Sequence, residues 1–151
     1  MDRKDDMKVS TTAQYQVLPG AAGIKSAYEL ALGQKKIDVI CLSDQYGQVI
    51  GEYFDNVVAP KLYGREIILR ELLPATPENE KSELAGSASN QRRFLQVGNA
   101  ATRAGQSDLL IGDDLVVVIS FNQEAPAAIV MNDVELVKSF RVYFEKLWET
   151  A

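Results

Sequence analysis

The chain has 151 residues, no histidine and a single cysteine. Without an imidazole, the Ser-His-Asp and Cys-His hydrolases, histidine-ligated zinc sites and phosphohistidine chemistry are excluded together. One cysteine closes no internal disulfide. Cys41 lies in the apolar run 37–42, where a small buried thiol is expected rather than a nucleophile. Long apolar runs are missing too: no stretch approaches the roughly 18 residues of a membrane span. The charged start Met1-Asp2-Arg3-Lys4 leads into no apolar signal segment. A cytoplasmic protein without membrane contact is therefore expected. Positive charge is scarce, with 16 lysines and arginines against 21 aspartates and glutamates and a net charge of -5. Adjacent basic residues occur as Arg3-Lys4, Lys35-Lys36 and Arg92-Arg93. Phosphate-backbone binding needs a concentrated basic face, so direct nucleic-acid contact is not expected.

What is present suffices for one hydrophobic core. A chain of this length buries about two thirds of the surface its unfolded form exposes, without help from metal or disulfide. Residues 1–13 are polar and read as a flexible tail, and residues 14–151 as a single domain. A short extended run, 14–18, stops at Pro19-Gly20, and Ile24, Ala27, Tyr28 and Ala31 then recur at helical spacing up to Gly33. Residues 36–42 form a strand-length apolar run. After it, Ser43 or Asp44 can cap an amphipathic helix marked by Tyr46, Val49, Ile50, Tyr53, Phe54, Val57 and Val58, which Pro60 is expected to kink or end. A third strand, 66–73, stops at Pro74. Continuous rather than alternating hydrophobicity implies a parallel sheet covered on both faces.

The segment 76–90 opens with the helix start Thr76-Pro77-Glu78, but its body is small and polar, so a weakly packed helix or lid is expected. Residues 93–97 suggest another strand. Three β-rich runs, 108–111, 115–121 and 127–131, then read as an antiparallel meander. Asn132 or Asp133, with Glu135, caps a last helix in which Val137, Phe140, Phe144, Leu147 and Trp148 are expected to face the core. The fold class is α/β: a mixed sheet with a parallel βαβαβ part and an antiparallel meander, and helices on both faces.

Few residue groups carry chemistry. The run Gly20-Ala21-Ala22-Gly23-Ile24-Lys25-Ser26 joins a strand to a helix, but two residues rather than four separate its glycines and Ile24 precedes the lysine. That is a turn and a helix start rather than a phosphate loop. Asp113-Asp114 resembles a carboxylate dyad but sits where a tight turn is expected. Ser43 and Asp44 follow the second strand and Arg70 lies near the end of the third, where open α/β sheets collect ligands. Arg70, inside an apolar strand, needs a partner, either Glu71 or another carboxylate, or else a ligand. Asn90-Gln91-Arg92-Arg93 offers amide and guanidinium donors suited to hydroxyls, carboxylates or phosphates.

Residues 15–148 resemble the C-terminal sensor domain of the TrmB-type family of sugar-responsive transcriptional regulators, a domain with a phospholipase D-like fold. The resemblance rests on the order of Leu18-Pro19-Gly20, Gly23-Ile24-Lys25, Arg70-Glu71-Leu72-Leu73, the stretch 90–95, the stretch 107–114 and Phe144-Glu145-Lys146-Leu147-Trp148. Phospholipase D enzymes carry the pattern HxKxxxxD. With its aspartate on Asp113, the histidine and lysine positions fall on Gln106 and Asp108, while Ser120-Phe121-Asn122 is similar to the Ser-x-Asn that follows the motif. The resemblance therefore implies a non-catalytic scaffold that binds a small polar effector such as a sugar, as a homodimer, with no cofactor and no metal. The ligand-binding residues expected are Ser43, Asp44, Arg70, Asn90, Arg93 and Asp108. About 14 residues precede the first strand, too few for a winged helix, so the expectation is a sensor lacking its DNA-binding part. The alternative is a protein-protein interaction module, for dimerisation or as an adaptor, on the same degenerate scaffold.

Overall fold

The computed structural model describes residues 14–82, 89–97 and 105–151. The tail 1–13 and residues 83–88 of the expected lid lie outside the described residues. The elements run β1 (Tyr15–Pro19), α1 (Gly20–Leu32), β2 (Lys36–Cys41), α2 (Gly47–Ile50), a π-helical turn (Phe54–Val58), α3 (Ala59–Leu62), β3 (Ile68–Pro74), α4 (Pro77–Lys81), β4 (Asn90–Leu95), β5 (Ser107–Ile111), β6 (Val116–Ser120), β7 (Ala127–Met131) and α5 (Val134–Thr150).

The strands form a mixed seven-stranded sheet in the order β1-β7-β6-β5-β2-β3-β4. Strands β2, β3 and β4 are mutually parallel, and the remaining pairings are antiparallel. The mixed α/β architecture is the one expected from the sequence. Strand β1, however, pairs antiparallel with β7 at the far edge instead of joining β2. The parallel part is consequently β2, β3 and β4. At that edge Gly20, at φ +75°, donates its N–H to Pro126 O at 2.7 Å, which fastens the end of β1 beside the start of β7.

Alternate side chains assign the two faces. Ile37, Val39, Leu69, Leu110, Val117, Ile119, Ala128 and Val130 pack under Ile24, Ala27, Tyr28 and Ala31 of α1 and under the α2–α3 region. On the opposite face Leu72, Ile111 and Val116 meet Val137, Phe144 and Trp148 of α5. Helix α1 lies close against β1 because residue 23 is glycine. A Cβ there would stand 2.2 Å from Leu18 O.

Three local expectations are corrected. The helix expected across 46–58 is broken, because Gly51 adopts φ +60° between α2 and the π-helical turn. Pro60 does not end that segment, which continues to Leu62. It occupies the first turn of α3, where its missing N–H removes no bond that the helix needs. Leu147, expected in the core, is exposed, since α5 turns its Arg141 and Glu145 flank toward charged groups on the sheet. The cap of α5 is Asp133, whose carboxylate accepts from the N–H groups of Glu135 and Leu136. Gly112, Asp113 and Asp114 form the β5–β6 turn, and Gln34 Oε1 accepts from both aspartate N–H groups at 2.8 and 3.3 Å.

Candidate functional site

A cleft of about 540 Å³ opens on the α1 face beside the carboxyl ends of β2 and β3. That is the size of a small-molecule site and the customary place for one in an α/β sheet. Its walls include Tyr46, Phe54 and Tyr63, with Thr76, Glu78 and Asn79 around α4 on the opposite rim.

One side is built by the chain leaving β2. Cys41 is in register with Asp108 on β5, so Asp108 projects toward the same face. Its Oδ1 accepts from Ser43 Oγ at 2.8 Å and from Ser43 N at 3.2 Å. Burial pushes the Asp108 carboxyl up to about 6, against the opposing pull of the Ser43 bonds. The neighbouring Cys41 thiol is raised well above its ordinary value, chiefly by burial. Such a thiol is protonated and unreactive at neutral pH. Gln106 fixes the next two residues: its Oε1 accepts from Asp44 N at 2.9 Å and Gln45 N at 3.0 Å, while its Nε2 donates to Asp44 Oδ1 at 2.8 Å.

The other side rests on a buried ion pair. Glu71, 2% exposed, accepts from Arg92 Nε at 2.7 Å on Oε1 and from the Tyr63 hydroxyl at 2.6 Å on Oε2. Arg92 also donates to Ser82 O and Oγ, and its guanidinium lies 5.9 Å from the centre of the Tyr63 ring. Burial first, then the Glu71 charge, drives the Tyr63 hydroxyl above its ordinary range.

Of the six residues expected at the site, Ser43, Asp44 and Asp108 converge here. Arg70 does not. It lies on the α5 face, where Nε and Nη2 meet Asp38 Oδ1 and Oδ2 at 2.8 and 2.9 Å and Nη2 reaches Glu145. Its guanidinium packs 4.9 Å from the Phe144 ring centre and 5.3 Å from that of Trp148. Of the partners weighed from sequence, Glu71 points to the opposite face and another carboxylate, Asp38, makes the pair. Arg93 is likewise on the α5 face, 4.5 Å over Trp148 and donating to Trp148 O. Asn90 is buried and donates through Nδ2 to Tyr63 O at 3.1 Å, behind the cleft. Glu71, Arg92 and Tyr63 were not among the expected residues. Side-chain parity separates them: 70 and 71, or 92 and 93, are neighbours in sequence but face opposite ways from the sheet.

The mixed sheet, with three parallel strands at one edge, an antiparallel remainder and helices on both faces, has the phospholipase D-like fold. Solved structures share it, TrmBL2, NucT and Nuc among them. TrmBL2, an archaeal chromatin protein whose structure shows a novel mode of DNA binding, superposes with a TM-score of 0.62 at 16% identity, over 99% of this chain and 57% of TrmBL2. NucT from Helicobacter pylori gives 0.60 at 14% identity, over 89% of this chain and 95% of NucT. Nuc from Salmonella typhimurium, a phospholipase D family member, gives 0.59 at 15% identity, over 89% and 93%. At these identities the shared property is the fold. The chain spans little more than half the length of TrmBL2. No protein-family model and no curated protein matches it in sequence. Among the described residues no helix is long and apolar enough to cross a membrane.

Proposed function

We propose that this chain is a non-catalytic effector-binding domain of the kind found in TrmB-type regulators, and that the cleft between the 43–45 loop and α4 is its ligand site. The observation that carries the reading is the engagement of Gln106. Its amide, at the position where the enzyme pattern has histidine, holds the backbone of Asp44 and Gln45 and the Asp44 carboxylate. The residues placed at the ligand are Ser43, Asp44 and Asp108, joined by Glu71, Arg92 and Tyr63. Arg70 and Arg93 instead tie α5 to the sheet. Charge agrees with a role other than phosphodiester hydrolysis: the described cleft lining holds Asp44, Glu71 and Glu78 against the single cation Arg92, and Asp108 lies just beneath. Direct DNA contact, cytoplasmic location and the homodimer carry over as parts of the same proposal: no DNA contact by this chain, a cytoplasmic setting, and two copies in the functional unit.

Thermal denaturation across sugars, sugar phosphates, amines and nucleotides tests the reading. A ligand that raises Tm in the native chain, and raises it less at equal concentration in Asp44→Asn, supports it. Turnover of a phosphodiester by the purified chain would overturn it.

One observation favours the interaction module as a second reading. Tyr15, Val17 and Ile129 are 50, 70 and 41% exposed, and they share the α5 face at the β1–β7 edge. An uncharged edge strand with exposed apolar residues is suited to pairing with another chain. Light scattering of the native chain and of Val17→Lys distinguishes the two: an oligomer dissolved by Val17→Lys, with no small-molecule response, favours the module.

A further inference from the structure

The hydrogen-bonding inventory of the cleft is lopsided. Most of the donors that line it face inward to protein partners, the Tyr46 and Thr76 hydroxyls being the exceptions among the described residues. Arg92 directs Nε and Nη2 to Glu71 and Nη1 to Ser82, and the Tyr63 hydroxyl donates to Glu71. Ser43 Oγ donates to Asp108, Asn79 Nδ2 to Pro74 O, and Ser82 Oγ to Asn79 O. The acceptors are left open. Asp44 offers its second carboxylate oxygen, since Gln106 occupies Oδ1 alone, and Glu78 makes no ion pair with any described residue. An anionic ligand would thus meet carboxylates and a guanidinium whose N–H groups are already engaged. It would leave water without gaining a cationic partner.

The deep end shows the same deficit. Beneath the cleft, sharing Cys41, Phe54 and Glu71 with it, is a void of about 20 Å³ lined also by Tyr28 and Asp108. Tyr28 is 2% exposed and brings no charge to the void. Asp108 is 6% exposed, and no cationic side chain among the described residues pairs with it. Tyr46 and Phe54, with ring centres 4.8 Å apart, form an aromatic wall beside the Asp44 rim. Aromatic faces attract organic cations, and carboxylates supply the countercharge.

Resting on the reading of the cleft as an effector site, we infer that its ligand is a small organic cation: a primary ammonium carrying further N–H or O–H donors. The ammonium sits between Asp44 and Glu78 against Tyr46, with the remaining donors directed inward. Neutral polyols bind less tightly, because the open acceptors then lack a countercharge. Phosphorylated compounds are repelled.

The test uses the full chain and four probes: 1,4-diaminobutane, glucosamine, glucose and glucose 6-phosphate, titrated by calorimetry and by thermal shift. The expected result is binding by one or both ammonium compounds at least tenfold tighter than by glucose, with no binding of glucose 6-phosphate. The two ammonium arms tell an aliphatic amine from an amino sugar. In Asp44→Asn and in Glu78→Gln, both exposed rim positions, Kd for the ammonium compound rises about threefold each, as expected for loss of one exposed charge contact. If glucose or glucose 6-phosphate binds as tightly as glucosamine, the cation inference fails and the effector reading stands. If no probe binds, the cation inference fails, and the effector reading is decided by the wider set of sugars, sugar phosphates and nucleotides. Amine binding indifferent to both rim substitutions also overturns the inference, because the amine then sits elsewhere.

Discussion

Replacing Arg70 by methionine separates a structural role from a ligand role. Asp38 is fully buried, and its carboxylate is held by the two-pronged Arg70 contact, with Arg141 Nε a more distant 3.4 Å away. Methionine fills much of the arginine stem but leaves Asp38 to that longer contact. Breaking a buried pair by removing one partner costs about 3–5 kcal/mol, and the retained Arg141 argues for the lower end. Loss of the guanidinium between Phe144 and Trp148 adds about 0.5–1 kcal/mol. A total near ~3.5 kcal/mol lowers Tm by about 7–14 °C in a domain of this size. Urea and thermal unfolding followed by circular dichroism measure it. The double variant Asp38→Leu/Arg70→Met should recover most of the loss, since apolar replacement of a buried ion pair is close to neutral. Ligand affinity in Arg70→Met, measured well below its Tm, should equal that of the parent. A loss under about 1 kcal/mol, or a double variant no better than the single, would refute the buried-pair argument. A lost ligand response in a folded Arg70→Met would refute the assignment of Arg70 to the far side of the sheet.

Other substitutions probe other links. Asp108 has a carboxyl pKa raised to about 6 by burial, so the folded chain holds a proton there that the unfolded chain has released, and stability from this group falls as pH rises between about 4 and 6. Asp108→Asn should flatten that part of the pH–stability curve and gain about 2 kcal/mol at pH 7, and an unchanged curve would refute the burial argument. Arg92→Leu leaves Glu71 buried with Tyr63 as its remaining partner. It should cost about 3 kcal/mol in urea unfolding and weaken ligand binding as well, unlike Arg70→Met. In Gly23→Ala the new methyl group collides with Leu18 O, so the β1–α1 junction must shift; a loss of at least about 2 kcal/mol is expected, and unchanged stability would contradict the close approach.

Element order was legible because hydrophobic period and turn residues act locally. The runs 36–42, 66–73, 108–111 and 115–121 become strands within a residue or two, and Asp133 caps α5 as its spacing with Glu135 suggests. Partnership was less legible. Nothing local in β1 says that it pairs with β7, since the bond from Gly20 to Pro126 joins positions over a hundred residues apart. Side-chain parity in the doubly covered strands was illegible for a physical reason. Leu69, Leu72 and Leu73 bury side chains on both faces of β3, so hydrophobicity does not tell which of Arg70 and Glu71 faces the cleft. The register β3 to β4 then decides Arg92 and Arg93 together. Ser43, Asp44 and Asp108 were accessible because the first two follow a strand directly and the third lies in the motif region. Gly51 breaks the 46–58 helix although the apolar spacing runs through it, an effect of backbone conformation that side-chain periodicity does not register.

The Gln106 amide also bears on how such a scaffold can change. A carboxamide oxygen has two lone pairs and accepts from two N–H groups while its nitrogen donates to a carboxylate. A neutral imidazole has one acceptor nitrogen, and a protonated imidazole has none. Histidine at position 106 would therefore leave at least one of the Asp44 and Gln45 N–H groups without its partner and loosen the rim of the cleft. Acquiring a nucleophile by that single replacement comes at the expense of the loop that shapes the binding site. That exchange alone would leave Asp108 where the HxKxxxxD pattern has lysine, so it would loosen the loop without completing the pattern.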